Sequence, residues 1–147
     1  LAQSAIIVAL PTPLPIITPQ EKLAHCYVWC IDDEKNNLTA MNTLLTHWQC
    51  DCRAFNRFND ALQAEGEAEL LLVDYHLDDN QDGLSLITAL RARAGKTIPA
   101  VLITALRDPE LVEKCKKLQI TYMAKPAKPA KLRALVQHIH QLREEKK

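Results

Sequence analysis

A short apolar run followed by an amphipathic helical stripe, repeated five times, most limits what this chain can fold into. "CYVWCI" stays apolar up to Asp32-Asp33, and Leu38, Met41, Leu45 and Trp48 then recur at three- and four-residue steps. Runs of that kind suit strands buried on both faces, and such steps suit a helix with one apolar side. "CRAF" predicts a second strand, and "NRFNDALQAEGEA" a helix capped by Asn56 or Asn59. "ELLLVD" is a third strand, followed by a helix on Leu84, Ile87, Leu90 and Ala94 that "AGK" ends. "IPAVLIT" is the fourth, with Pro99 tolerated where a strand start can spare a donor. Asp108-Pro109-Glu110 opens the next helix with a capping acid and a first-turn proline. "ITYMA" is the fifth strand, and Leu132, Leu135, Val136, Ile139 and Leu142 line the last helix.

Five strands alternating with five helices argue for an α/β fold, a parallel sheet covered on both faces. Right-handed crossovers bring every strand's carboxyl end to one edge, where open sheets of this kind bind ligands. The length of 147 residues suits one domain, and a hydrophobic content of 48% is a globular value. With 18 basic against 18 acidic side chains the net charge is zero, which disfavours a dedicated nucleic-acid binder.

Residues 1–24 read as a short strand, Ala5 to Leu10, and a linker stiffened by Pro11, Pro13, Pro15 and Pro19. Those prolines interrupt any run long enough to span a membrane, and no basic leader of a signal peptide precedes them. A start on Leu1 rather than Met is expected of a piece cut from a longer protein. The odd set Cys26, Cys30, Cys50, Cys52 and Cys115 does not suggest a disulfide framework. A metal site on the first four lacks zinc-knuckle spacing, so reduced, half-buried thiols of a cytoplasmic protein are expected.

The strand ends deliver Asp32 and Asp33, then Asp74, Thr104, and Lys125 followed by Pro126. The chain has only three glycines and no phosphate-cradling glycine loop. What remains is a carboxylate cluster facing one hydroxyl and one ammonium. Clustered carboxylates are costly unless a cation sits among them, and oxygen-only donors with room for water suit Mg²⁺. Such a site can hold a phosphoryl group against one carboxylate, with Lys125 and Thr104 on its other oxygens. Attack by the carboxylate would give an aspartyl phosphate.

Asp32-Asp33 after "VWCI", Asp74 in "LLLVD", Thr104 in "VLITA" and Lys125-Pro126 in "YMAKP" resemble the receiver domain of two-component response regulators. The resemblance covers residues 27 to about 143 and implies a three-layer (βα)5 flavodoxin-like sheet of order 2-1-3-4-5. It implies that Asp74 is the phosphoacceptor and that Mg²⁺ (or Mn²⁺) is held by Asp33, by Asp32 mainly through water, by Asp74 and by the main-chain carbonyl of His76. Lys125 would pair with the phosphoryl group, and the Lys125–Pro126 bond would be cis. Thr104 would swing towards the phosphoryl oxygen with Tyr122 as the aromatic switch, re-shaping the face of the fourth helix, fifth strand and fifth helix. That face is also the expected surface of a possible homodimer. The implied partner is a histidine kinase or histidine phosphotransfer domain, with no nucleic acid and no membrane contact.

His76 and Leu106 stand at the two positions that tune phosphoryl lifetime in the family. An apolar Leu106 is poor at orienting water, which leads to the expectation of a long-lived phosphoryl group. Asp78, Asp79 and Asp82 read as solvated turn acids, with Gly83 supplying a loop conformation. Trp29 and Trp48 read as packing residues, and Lys128, Lys131 and Arg133 as a solvated face. His25, His47, His138 and His140 show no ligand spacing with the carboxylates.

"SAIIVALP" resembles the last strand of a histidine-kinase ATPase domain, and "AKPAKPAKLRALV" resembles receivers that close hybrid sensor kinases. The organisation this implies is a linker or kinase tail over 1–24 and a receiver over 25–147, in a bacterial hybrid histidine kinase. No winged-helix or helix-turn-helix output domain is expected after "HIHQLREEKK", and the alternative to a hybrid kinase is a free-standing single-domain regulator. By itself the receiver is expected to turn over nothing beyond its own phosphorylation and dephosphorylation. A haloacid-dehalogenase-like phosphohydrolase would place an acid where His76 stands, and its acidic pair after the lysine. A degenerate receiver used only for interaction would lack members of the five-residue set.

Overall fold

The computed structural model describes residues 26–145, with the side chains of 143–145 excepted. The strand expected at Ala5–Leu10, the 1–24 linker and His25 lie outside the described residues. Five strands form the sheet: β1 (Tyr27–Ile31), β2 (Asp51–Phe55), β3 (Leu70–Asp74), β4 (Ala100–Thr104) and β5 (Thr121–Ala124). They pair in parallel in the order β2-β1-β3-β4-β5, a doubly wound sheet with its switch between β1 and β3. The helices between and after them are α1 (Lys35–His47), α2 (Phe58–Gln63), α3 (Gly83–Ala94), α4 (Pro109–Lys117) and α5 (Pro129–Glu145).

β3 and β4 are buried at every position, as continuous apolar runs must be when helices cover both faces. Alternate strand residues point to opposite faces, so the core divides in two. Trp29, Ile31, Leu71, Val73 and Leu102 meet Leu86, Ile87 and Leu90 of α3 and Leu111 of α4. Val28, Cys30, Leu70, Leu72 and Val101 meet Leu38 and Leu45 of α1 and Leu132 and Val136 of α5. Arg91 ties loops on one side of the sheet, its guanidinium donating to the carbonyls of Ile98, Leu118 and Gln119 at 2.9, 2.5 and 2.9 Å.

Several local expectations are corrected. α2 stops at Gln63 instead of running through "AEGEA", and Gly66 beyond it takes φ +91°. Neither Asn56 nor Asn59 caps α2; the residue before it is Arg57, and the Phe58 N–H instead donates to Asp78 Oδ1 at 2.7 Å. Asp78 is therefore a long-range helix cap, and Asp82 caps α3 by accepting from Ser85 N at 2.8 Å. The buried stripe of α3 uses Leu86 with Ile87 and Leu90, leaving Leu84 only partly buried. Trp48 is buried just beyond the end of α1. Arg133 leaves the solvated face expected of it: its guanidinium lies 5.8 Å from the centre of the Trp48 ring.

Candidate functional site: a carboxylate cluster at the carboxyl edge of the sheet

The register Ile31↔Val73 carries β1 and β3 out of the sheet side by side, so Asp32 and Asp33 emerge next to Asp74. One carboxylate oxygen from each of the three lies within 4.8 Å of the others. On the other side, β4 pairs with β5 through Thr104↔Ala124, and Lys125 N donates to the Thr104 carbonyl at 2.8 Å. That hydrogen bond sets the start of the Lys125 side chain at the same edge, and its Nζ reaches Asp74 Oδ1 at 3.1 Å. The Lys125–Pro126 peptide is cis.

Burial and charge pull on this site in opposite directions. Asp74 is 7% exposed, whereas Asp33 is exposed and Asp32 half-buried. Burial raises the Asp74 carboxyl above the usual carboxylate range, and the charge of Asp32 adds to the rise. The hydrogen bond and charge of Lys125 oppose it without cancelling it. A buried carboxylate beside two others, with one half-exposed ammonium as counter-charge, is short of positive charge. The donor set is oxygen only, which fits a hard divalent cation.

Thr104 is 1% exposed, and its Oγ1 accepts from Leu106 N at 3.1 Å. The Tyr122 hydroxyl donates to the Leu106 carbonyl, so the loop after β4 is pinned from both sides. The Leu106 side chain itself is 40% exposed. His76 is exposed two residues after Asp74 and bridges to Asp82 through the backbone.

Gly83 was read as a loop residue; it is instead the first residue of α3, set against the strand that carries Asp74. A Cβ at Gly83 would collide with the Asp74 carbonyl oxygen and stand 2.9 Å from both Leu102 Cδ1 and Val73 Cγ1. Its missing side chain lets α3 approach the site, a role that only its place after a turn hinted at. A groove of about 500 Å³ opens beside Asp32, Asp74 and Lys125, with Leu38, Met41 and Leu132 on its apolar wall.

The model of the response regulator receiver domain matches residues 28–137. The DNA-binding transcriptional regulator NtrC of Proteus hauseri is 32% identical over 83 residues. That match takes in 55% of this chain and 17% of the relative, so the chain spans less than a fifth of that protein's length. Among solved structures, a BeF3-activated DrrB receiver domain superposes with a TM-score of 0.72 at 24% identity, covering 80% of this chain and 98% of that one. The Vibrio cholerae chemotaxis protein CheY4 superposes with a TM-score of 0.71 at 18% identity, covering 79% of this chain and 99% of that one. These superpositions establish the fold. Receiver domains as a class act with histidine kinases or phosphotransfer proteins and hold Mg²⁺ at an acidic site. A matched span that includes the whole sheet, together with that acidic edge, establishes that the chain belongs to the response regulator receiver domains, the phosphoacceptor modules of two-component signalling.

Proposed function

We propose that this chain takes a phosphoryl group from a phosphohistidine onto Asp74. One observation carries the reading: a buried carboxylate stands between the Lys125 ammonium at 3.1 Å and the carboxylates of Asp32 and Asp33. An Asp74 oxygen attacks phosphorus, the P–N bond to the donor imidazole breaks, and the imidazole leaves with the electron pair and takes up a proton. Lys125 exchanges its contact with Asp74 for one with a phosphoryl oxygen. Thr104 gives up the Leu106 N–H and turns its hydroxyl to another. Freed from Thr104, the loop held by Tyr122 through the Leu106 carbonyl then shifts, carrying the change to the face of α4, β5 and α5. His76 and Leu106 flank the path by which water would reach the phosphoryl group and tune its lifetime.

Asp32, Asp33, Asp74 and the main-chain carbonyl of His76 would hold Mg²⁺ or Mn²⁺. The ion would neutralise the clustered carboxylates and the phosphoryl oxygens. The raised carboxyl of Asp74 agrees with this, since burial and then the charge of Asp32 disfavour its ionised form, which a bound cation would favour. The groove beside the cluster suits the apolar side of a donor helix bearing the phosphohistidine.

The test is phosphoramidate, a donor with a P–N bond, added with Mg²⁺ and followed by intact mass. A gain of one phosphoryl that is lost on hydroxylamine treatment or without divalent cation supports the reading. No gain with phosphoramidate, acetyl phosphate or a phosphorylated histidine phosphotransfer domain overturns it and favours a module used only for interaction.

The wider setting is read as a linker over 1–24 and a receiver over 25–147, at the carboxyl end of a cytoplasmic portion of a hybrid histidine kinase. Among the described residues no helix is long and apolar enough to cross a membrane. A free-standing regulator is the other reading, and the coding sequence on either side of this stretch separates the two.

A further inference from the structure

The opposite edge of the sheet holds a second cluster of ligating side chains, built from different atoms. β2, β1 and β3 are neighbours, so the residues before them, Cys50, Cys26 and Glu69, start side by side. Asp51 N donates to the Cys26 carbonyl at 2.8 Å and Glu69 N to the Tyr27 carbonyl at 2.8 Å, which fixes that alignment. α5 leaves the carboxyl edge and runs back over this face, delivering His140 in its later turns. We propose that Cys26, Glu69 and His140, with Cys50 as fourth donor, form a buried site for a borderline-soft divalent ion of the Zn²⁺ kind.

The geometry is close to what such an ion needs. One ligand atom from each of Cys26, Glu69 and His140 lies within 4.8 Å of the others. Tetrahedral bonds of about 2.0–2.3 Å put donors roughly 3.3–3.8 Å apart, so closure asks for rotamer adjustments of about 1 Å. His140 Nδ1 and Glu69 Oε2 are already 3.6 Å apart. Cys50 is buried, and its thiol hydrogen-bonds to that of Cys26, the first ligand. Two thiols, an imidazole and a carboxylate make a closed set of the structural kind.

His140 gives a second, separate indication. It is 7% exposed, and its Nδ1 is fully buried without a hydrogen bond. Glu69 Oε2 is too far from it to accept one well. Buried polar atoms of native proteins are nearly always satisfied, and a bound cation would satisfy this one. Charge balances too: two thiolates and a carboxylate exceed a divalent ion by one, and Arg133 is near enough to Cys50 for its charge to act on the thiol. Sulfur and imidazole donors select against Mg²⁺, so the two edges do not compete for one ion. The bound ion would tie the starts of three strands to the end of α5, and its binding would release the thiol protons.

The proposal stands independently of the chemistry at Asp74 and is tested by titrating the reduced, chelator-treated full chain with Co²⁺ in excess Mg²⁺. The expected result is one Co²⁺ per chain, with a thiolate-to-cobalt charge-transfer band and tetrahedral visible bands, both displaced by Zn²⁺. Cys26→Ser and His140→Gln should each weaken binding by ~100-fold or more, while Asp33→Asn leaves it unchanged. If His140→Gln loses its fold by circular dichroism, Cys50→Ser replaces it and should shift the charge-transfer band. Absence of the band in the wild-type chain overturns the proposal. So does a band whose position and Co²⁺ affinity are unchanged in Cys26→Ser, or one that is lost in Cys52→Ser or Asp33→Asn instead.

Discussion

The two edges of the sheet share strands but differ in how they hold charge. At the carboxyl edge, Asp33 is open to water and Asp32 half-buried, while Asp74 is buried between them and Lys125. At the amino edge, about 20 Å away along β1, Cys26, Cys50 and His140 are all buried, and only Glu69 of the cluster is partly exposed. The open edge can admit a ligand that comes and goes, and its excess charge can be relieved by ion or phosphoryl chemistry. At the more buried edge a cation would act as a fastener. Oxygen donors alone stand at one edge, and sulfur and nitrogen join a single carboxylate at the other.

The sharpest way to separate the edges is Lys125→Ala. It removes the ammonium at 3.1 Å from Asp74 and should slow phosphoryl uptake from phosphoramidate by ~10²–10³-fold. The Co²⁺ signal of the amino edge should not move; loss of both together would break the comparison. Gly83→Ala comes next. Its Cβ has no room against the Asp74 carbonyl, so overpacking should cost about 1–3 kcal/mol in urea denaturation. Unchanged stability would mean that α3 can shift away from β3 without loss.

Leu106→Glu should shorten the phosphoryl lifetime by ~10-fold or more, read as the decay of the added mass, because a carboxylate can orient water where the exposed leucine cannot. A wild-type lifetime of seconds, or no change in the variant, would contradict the role given to this position. The smallest effect is on stability. The raised Asp74 carboxyl means that the folded protein binds this proton at a higher pH than the unfolded chain. Its ionised form is therefore destabilising: stability falls as pH rises from the ordinary carboxylate value through the raised one, and the cost is full above it. Asp74→Asn should raise the melting temperature by ~2–4 °C near neutral pH in chelator, with the gain vanishing in acid. Magnesium should shrink the gain by stabilising only the wild type.

The carboxyl edge was legible in the chain because each of its groups follows an apolar run. A strand that stops on Asp74 or Thr104, or just before Lys125, announces both its end and the side chain it delivers. The order of the strands came with the resemblance to receiver domains, since βα alternation predicts a parallel sheet without fixing the sequence of its strands. The amino edge gave no such signal. Cys26, Cys50, Glu69 and His140 come from three strand starts and one helix, and no spacing links them until the sheet aligns them. Asp78 was read as a turn acid because its partner, the first N–H of α2, is twenty residues upstream in sequence. Gly83 was misread for a related reason: what demands the absence of a Cβ is the facing strand rather than its own backbone angle.

The most direct test of the central claim locates the phosphoryl group itself. The chain is loaded with phosphoramidate and Mg²⁺, the acyl phosphate is trapped by borohydride reduction, and the digest is read by tandem mass spectrometry. The account predicts reduction at residue 74 alone, with none in Asp74→Asn. Label on Asp32, Asp33 or another carboxylate, or label that persists in Asp74→Asn, would contradict it.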